Sequence, residues 1–349
     1  MLSVCSPQLG LSPESNSGGE VYDREVISRL CRRGIKIYTL LPKGRLHSKV
    51  KNLTVEFSRL GSYVPPHLFS AAALPYLVKT YKKHHFDLLR IHNLYFLSFA
   101  AAAFKAKFHR VPLVGSLLHL EDGVNHLLLK STINKYDHLV TISQSTKREI
   151  IKCYQYPENK ITVAYPGVDS RFTPHRKKGG RFTIMFVGGL KPRKNPEFLL
   201  KVMAKINRPD VKLVFAGDGP LRGRLKGKNV SVTGFIPENK KPELYHQADV
   251  VVLPSIKEGF GMTLLEAGAS GLPVVASNVW SMTEIVKDGE TGFLAKLNDV
   301  DDWSDKLLQL IKSPQLCNQM GESGRISAAN FTWKRNINKQ IKIYENLIL

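Results

Sequence analysis

Residues 250–277 read VVVLPSIKEGFGMTLLEAGASGLPVVAS, and no other stretch constrains the fold as strongly. Four consecutive apolar residues, 250–253, fit a strand buried on both faces. Pro254 and Ser255 end it. A glycine-bearing loop, 258–261, leads into residues 262–267, whose composition favours a helix that stops between Gly268 and Gly271. Residues 273–277 read as the next strand. Strand, loop, helix and strand in that order make a parallel α/β unit. The loop and helix start also make an anion site. First-turn N–H groups have no partner inside a helix, and they lie at the positive end of its dipole. Two carboxylates, Glu258 and Glu266, bracket this site. Acids beside an anion site make sense if the ligand also carries hydroxyl groups, as a nucleotide-sugar does.

The same alternation runs through the chain. A strand at 2–5, a loop at 7–19 ending in Asn16, Ser17, Gly18 and Gly19, a helix at 20–33 and a strand at 35–41 form a Rossmann-like opening. The glycine pair also fits an ordinary turn. Strands follow at 53–57, 87–92, 113–118, 137–143 and 161–164. Helices are expected at 68–83, 94–108 and 146–153, the last capped by Ser143 or Ser145. The stretch 170–180 is polar, basic and rich in turn residues, and reads as a linker. Beyond it come strands at 182–187, 211–216, 230–235 and 291–294. Helices are expected there at 196–206, 242–248, 300–313 and 332–347. A chain of 349 residues with this pattern predicts two α/β domains, each with a parallel sheet.

No stretch reaches the roughly 18 apolar residues of a membrane span; the longest, 94–104, reads as a buried helix. The N-terminus shows no basic region of a signal peptide. Cys5, Cys31, Cys153 and Cys317 are widely spaced and form no CxxC pair, which fits a reducing cytosol rather than a zinc site or disulfide framework. The formal charge is +22, with 25 basic against 12 acidic residues through Arg176 and 26 against 17 after it. Such a field favours nucleic acid, anionic lipid or phosphorylated substrates. For any single lysine cluster, a well-solvated surface is the plain alternative. No RNA-recognition motif, zinc finger or aromatic–basic interleaving appears, so nucleic acid is not an expected partner.

In doubly wound sheets ligands bind beyond the carboxyl ends of the strands. Gly18, Gly19, His92, His119, Gly188, Gly189, Lys194, Gly217, Gly219 and Glu258 all follow predicted strands. Several stretches then carry a resemblance. VGGLKPRKNP (187–196), FAGDGPL (215–221), VTGFIP (232–237) and EGFGMTLLEAGASGLPVVAS (258–277) resemble the nucleotide-sugar domain of the family-four retaining glycosyltransferases with the GT-B fold. SGGEVYDREVISRLCRRG, VTISQSTKREI and VAYPGVD resemble its first domain, so the likeness covers essentially the whole chain.

The resemblance implies a GT-B architecture, two Rossmann-like domains with parallel sheets facing across a cleft. An acceptor-binding domain would span 1–172, joined by a C-terminal helix at 332–349, and a nucleotide-sugar domain 178–328. It implies that Glu266 accepts hydrogen bonds from the ribose hydroxyls and that Glu258 binds the transferred sugar. The backbone at Gly259, Phe260, Gly261, Met262, Thr263 and Leu264 would hold the diphosphate. Lys194 would neutralise the departing diphosphate, in place of a metal ion. His119 would contact the donor sugar, with His92, Gly18 and Gly19 nearby. Gly217 and Gly219 would border the donor, and Ile236 would line the base pocket. One departure stands out: Gly189 occupies a position where the family often has arginine, and Arg193 is expected to supply that charge.

The expected reaction moves a hexose from a UDP- or GDP-sugar to a saccharide or lipid-linked acceptor. It proceeds with retention and without an essential metal or cofactor, in polysaccharide or glycolipid biosynthesis. Its expected place is the cytoplasm. The basic first domain, through Arg29, Arg32, Arg33, Lys36, Lys43, Arg45, Lys49, Lys51, Lys79, Lys82 and Lys83, is expected to touch an anionic membrane peripherally. An epimerase or hydrolase of the same fold is the alternative enzyme, and a polyanion-binding protein the alternative of a different class.

Overall fold

The computed structural model describes residues 1–12, 15, 18–61, 66–92, 94–120, 124–175 and 179–349. Asn16 and Ser17 of the expected glycine loop, and residues 176–178 of the expected linker, lie outside the described residues. The chain divides into two compact units, Met1–Tyr165 with Trp333–Leu349, and Pro166–Thr332.

The first unit runs β1 (Ser3–Cys5), α1 (Gly18–Arg32), β2 (Lys36–Lys43), β3 (Leu53–Gly61), α2 (Pro66–His84), β4 (Leu88–His92), α3 (Leu94–Lys107), β5 (Leu113–Leu117), α4 (Val124–Thr132), β6 (His138–Thr141), α5 (Gln144–Tyr154) and β7 (Ile161–Val163). Its sheet has the order β3-β2-β1-β4-β5-β6-β7, parallel throughout. The order reverses between β1 and β4, which is where a doubly wound sheet opens a crevice. Leu89, Ile91, Leu113 and Leu139 form the middle of the core with Phe86 and Phe104. Ser143 caps α5, accepting from the Thr146 N–H at 3.1 Å.

The second unit runs β8 (Phe182–Val187), α6 (Phe198–Ile206), β9 (Val211–Ala216), β10 (Val230–Gly234), α7 (Lys241–Tyr245), β11 (Val250–Leu253), α8 (Met262–Ala269), β12 (Val274–Ser277), α9 (Met282–Ile285), β13 (Gly292–Ala295), α10 (Val300–Lys312) and α11 (Pro314–Ala328). The order is β10-β9-β8-β11-β12-β13, again parallel, with its reversal between β8 and β11. The apolar run of β11 is buried along its whole length. Trp303 of α10 is fully buried and meets Phe198 edge-on at 5.6 Å. Burying such a ring contributes about 1.5–3 kcal/mol.

Helix α8 ends at Ala269, inside the expected stop between Gly268 and Gly271. Other features differ from the sequence reading: helices α4, α9 and α11 were not expected. Residues 170–175 are not a free linker. Phe172 packs edge-on against Tyr245 at 5.5 Å, His175 stacks on His246 at 4.5 Å, and the chain crosses between units at Tyr165–Pro166, ahead of residue 172. Gly18 and Gly19 open α1 instead of ending a loop. The last helix, α12 (Trp333–Ile348), belongs to the first unit. There the Asn336 amide donates to the carbonyls of Ala164 and Tyr165 at 2.8 and 2.9 Å.

Candidate functional site

The second sheet reverses between β8 and β11, so the loops after these two strands flank its crevice. The first, 188–195, ends in a single tight turn at Pro192–Lys194. The second, 254–261, delivers the chain into α8 through left-handed Gly261. Side chains and backbone tie the two together. Lys194 Nζ donates to Glu258 Oε2 at 2.5 Å. Arg193 Nη1 donates to the Lys257 carbonyl at 2.5 Å and lies 3.5 Å from Glu258 Oε2. The Ile256 N–H donates to the Arg193 carbonyl at 2.9 Å. Lys194 and Glu258 are both largely shielded from solvent, so their ion pair is stronger than an exposed one.

The start of α8 adds donors. The Leu264 N–H already donates to the Gly261 carbonyl at 2.9 Å, so it is not available to a ligand as expected. The hydroxyl of Thr263 is buried without a partner, as are those of Ser255, just after β11, and Ser277, at the end of β12. Buried polar atoms are nearly always hydrogen-bonded, so three orphans at one edge of a sheet call for a ligand or water.

Glu266 lies one turn further along α8 and is buried, with 4% of its surface exposed. Tyr245 of α7, itself fully buried, donates its hydroxyl to Glu266 Oε2 at 2.7 Å. Lys241 Nζ stands 3.9 Å from Oε1 and is also paired with Glu238. Burial raises the Glu266 carboxyl above its ordinary value. Lys241 opposes that shift, Glu238 adds to it, and the Tyr245 hydrogen bond opposes it. Neither Tyr245 nor Lys241 was expected from the sequence. Their spacing of four residues on one helix face was the available signal.

The remaining expected residues divide by position. Gly189 has room for a side chain: a Cβ there would meet only the Lys191 side chain, at 3.7 Å and beyond. At Gly217 a Cβ would lie 1.9 Å from the Gly188 carbonyl oxygen, and at Gly219 2.6 Å from that of Leu190. These two glycines are therefore explained by close packing of the loops after β8 and β9, without a ligand. Ile236 is half-buried after the edge strand β10, two strands from β8.

In the first unit, His119 follows β5 and is half-buried, and its carbonyl accepts from the Tyr95 hydroxyl at 3.0 Å. His92 ends β4, at the reversal of the first sheet. Its Nδ1 lies 3.3 Å from Asp23 Oδ1 and is buried without a hydrogen-bond partner among the described residues. Burial lowers its pKa; the nearby Asp23 charge pulls the other way. Asp23 is also ion-paired with Arg90, and both are buried. Arg90 thus ties α1 to the sheet. Asp23 and Arg90 went unassigned in the sequence, although a charge inside the apolar run Leu88–His92 signals a buried partner.

Two family models match in tandem: Glycosyltransferase Family 4 over residues 16–172 and Glycosyl transferases group 1 over residues 169–327. The chain is 32% identical over 285 residues to a D-inositol 3-phosphate glycosyltransferase of an Arthrobacter species, covering 70% of this chain and 67% of that one. It is 30% identical over 300 residues to the same-named protein of Paenarthrobacter aurescens, covering 74% and 72%. Among solved structures it is similar to sucrose-phosphate synthase from Thermosynechococcus elongatus, with a TM-score of 0.87, 17% identity and 99% of both chains covered. It is also similar to Anabaena HepE in complex with UDP and glucose, with a TM-score of 0.81, 17% identity and 99% and 100% covered. Likeness at this identity establishes the fold, which is GT-B.

Proposed function

The chain belongs to the family-four, group 1 glycosyl transferases and is a glycosyltransferase, and from that premise we propose that it moves a hexose from a UDP- or GDP-sugar to a saccharide or lipid-linked acceptor, with retention and without an essential metal. The observation that carries this reading is the pairing of Lys194 with Glu258 across the reversal of the second sheet, together with the orphaned Thr263 hydroxyl at the start of α8. A diphosphate placed over that helix start draws Lys194 away from Glu258, and the freed carboxylate accepts from sugar hydroxyls. Glu266 offers two acceptors to the vicinal hydroxyls of the ribose. Lys194 and Arg193 then stabilise the charge that develops on the departing diphosphate, the work a cation would otherwise do. We take the reaction as front-face substitution, with the leaving phosphate assisting the acceptor, which would account for retention. For His119 we keep the sugar contact that the resemblance implies.

Thermal-shift measurements with UDP-, GDP- and ADP-sugars test the donor. One of them should raise the Tm of the wild type, and Glu266→Ala should abolish the shift. Lys194→Ala should reduce kcat by about 10²–10³, while full activity in Arg193→Ala would leave Lys194 as the principal cation. Absence of any shift would sink the donor reading. An inverted anomer by NMR would exclude retention, and loss of activity in EDTA would exclude metal independence.

We further propose peripheral contact with an anionic membrane through α2 of the first unit. Leu74, Pro75 and Val78 line a shallow surface groove whose other lining residues are Lys79, Lys82 and Lys83. An apolar floor with a basic rim suits an anionic lipid surface.

A further inference from the structure

Trp280 has a left-handed backbone, with φ at +52°. Five of the eight non-glycine residues in that region, among those described, are asparagines, which tolerate it; for a bulky residue it is a strained conformation. Such strain persists where something else requires it. Core packing does not require it here, because Trp280 is 37% exposed. The residue follows β12, the strand next to β11, on the same edge of the sheet as Glu258. Two contacts fasten it to the Glu258 loop. The fully buried Ser281 donates its hydroxyl to the Glu258 carbonyl at 3.0 Å, and Lys257 Nζ lies 4.8 Å from the centre of the Trp280 ring.

We propose that Trp280 is a stacking platform for the apolar face of a pyranose ring. The ring belongs either to the donor hexose at Glu258 or to an acceptor saccharide. This inference rests on the reading of Glu258 as a sugar-binding carboxylate. The face of an aromatic ring is electron-rich, and the C–H groups on one face of a pyranose carry partial positive charge. Lys257 Nζ lies over part of the ring, and the exposure of Trp280 leaves ring surface open to a sugar. An indole also supplies a large rigid contact at little entropic cost, which suits a ligand whose hydroxyls are already held elsewhere.

Trp280→Asn and Trp280→Phe separate strain from recognition. Asparagine accepts a left-handed backbone, so Trp280→Asn should have a higher Tm than the wild type. Calorimetry with UDP, UDP-glucose, GDP and GDP-mannose reads the donor arm. If the platform holds the donor hexose, Trp280→Asn keeps the affinity for the free nucleoside diphosphate and loses about three- to tenfold for its sugar, while Trp280→Phe retains most of it. The acceptor arm uses fluorescence. Of the three tryptophans, Trp303 and Trp333 are buried, so iodide quenching reports on Trp280. If the platform holds an acceptor ring, methyl α-glucoside, methyl α-mannoside or methyl α-galactoside protects it from iodide in the presence of saturating nucleoside diphosphate. A donor affinity unchanged in Trp280→Asn, together with no protection by any glycoside, overturns the inference while leaving the donor reading intact. If none of the four nucleotides binds the wild type, the donor reading itself has failed, and this inference falls with it.

Discussion

Glu266 is a carboxylate held where its charge is costly. Burial raises its pKa, and Tyr245 and Lys241 offset that only in part. The folded state therefore binds this proton more tightly than the unfolded chain does. Its contribution to stability falls as pH rises from the ordinary value of 4.5 through the raised one, and below 4.5 both states are protonated and the difference vanishes. Glu266→Gln removes the charge and keeps an acceptor for Tyr245. It should melt higher than the wild type at pH 7, with the gain shrinking toward pH 4, while nucleotide affinity drops. Melting curves across pH, paired with calorimetry, check both halves; a variant that melts lower at neutral pH would show that the charge is well compensated. A stabilising substitution that removes binding is the pattern expected of a residue kept for function. At this scale the sequence was informative where chemistry sits beside a glycine loop, as with Glu258, Glu266 and Lys194. Tyr245 was marked only by its four-residue spacing from Lys241, because its contact with Glu266 joins residues 21 apart.

The position of Glu266 depends on how α8 packs, and α8 packs closely on α11. A Cβ at Gly268 would come 3.1 Å from the Gly324 carbonyl oxygen, and one at Gly321 would come 2.0 Å from that of Gly271. Glycine on both helices lets their backbones approach, which gives Gly268 a packing role inside α8. The clash at Gly321 is with backbone and cannot be relieved by a rotamer. Gly321→Ala should destabilise the second unit by about 1–3 kcal/mol and weaken nucleotide binding through a displaced α8. Denaturant unfolding with and without nucleotide measures both effects; an unchanged midpoint would mean that the helices separate freely. The strands were readable from apolar runs and the glycine loops that follow them. Helix α11 was not, because Gly321 and Gly324, the residues that make its packing possible, also read as breakers. Its start was nevertheless marked by the Ser313 cap, which accepts from the Leu316 N–H at 3.1 Å, and by Pro314 in the first turn.

On the scale of the whole molecule, alternation of strands and helices carried the two-sheet reading, whereas composition misplaced the crossing between units. Residues 170–175 look like a linker by polarity, yet Phe172 anchors them to Tyr245. Net charge is likewise a property of the whole chain, and +22 does not by itself name a partner. The groove on α2 narrows it. Each lysine near an anionic surface contributes about 1 kcal/mol, but Lys79 already faces Glu56 at 3.5 Å, so Lys82 and Lys83 are the stronger contributors. The apolar floor adds a part that salt does not screen. Co-sedimentation with vesicles rich in phosphatidylglycerol should therefore show binding that weakens sharply between low salt and about 0.5 M, where the Debye length shrinks to a few ångströms. Lys82→Glu with Lys83→Glu should remove most of it, while Val78→Ser should weaken it by a similar factor at both salt concentrations. Binding of equal strength to neutral phosphatidylcholine vesicles, or no binding at low salt, would rule out this membrane contact and leave the charge as surface solvation.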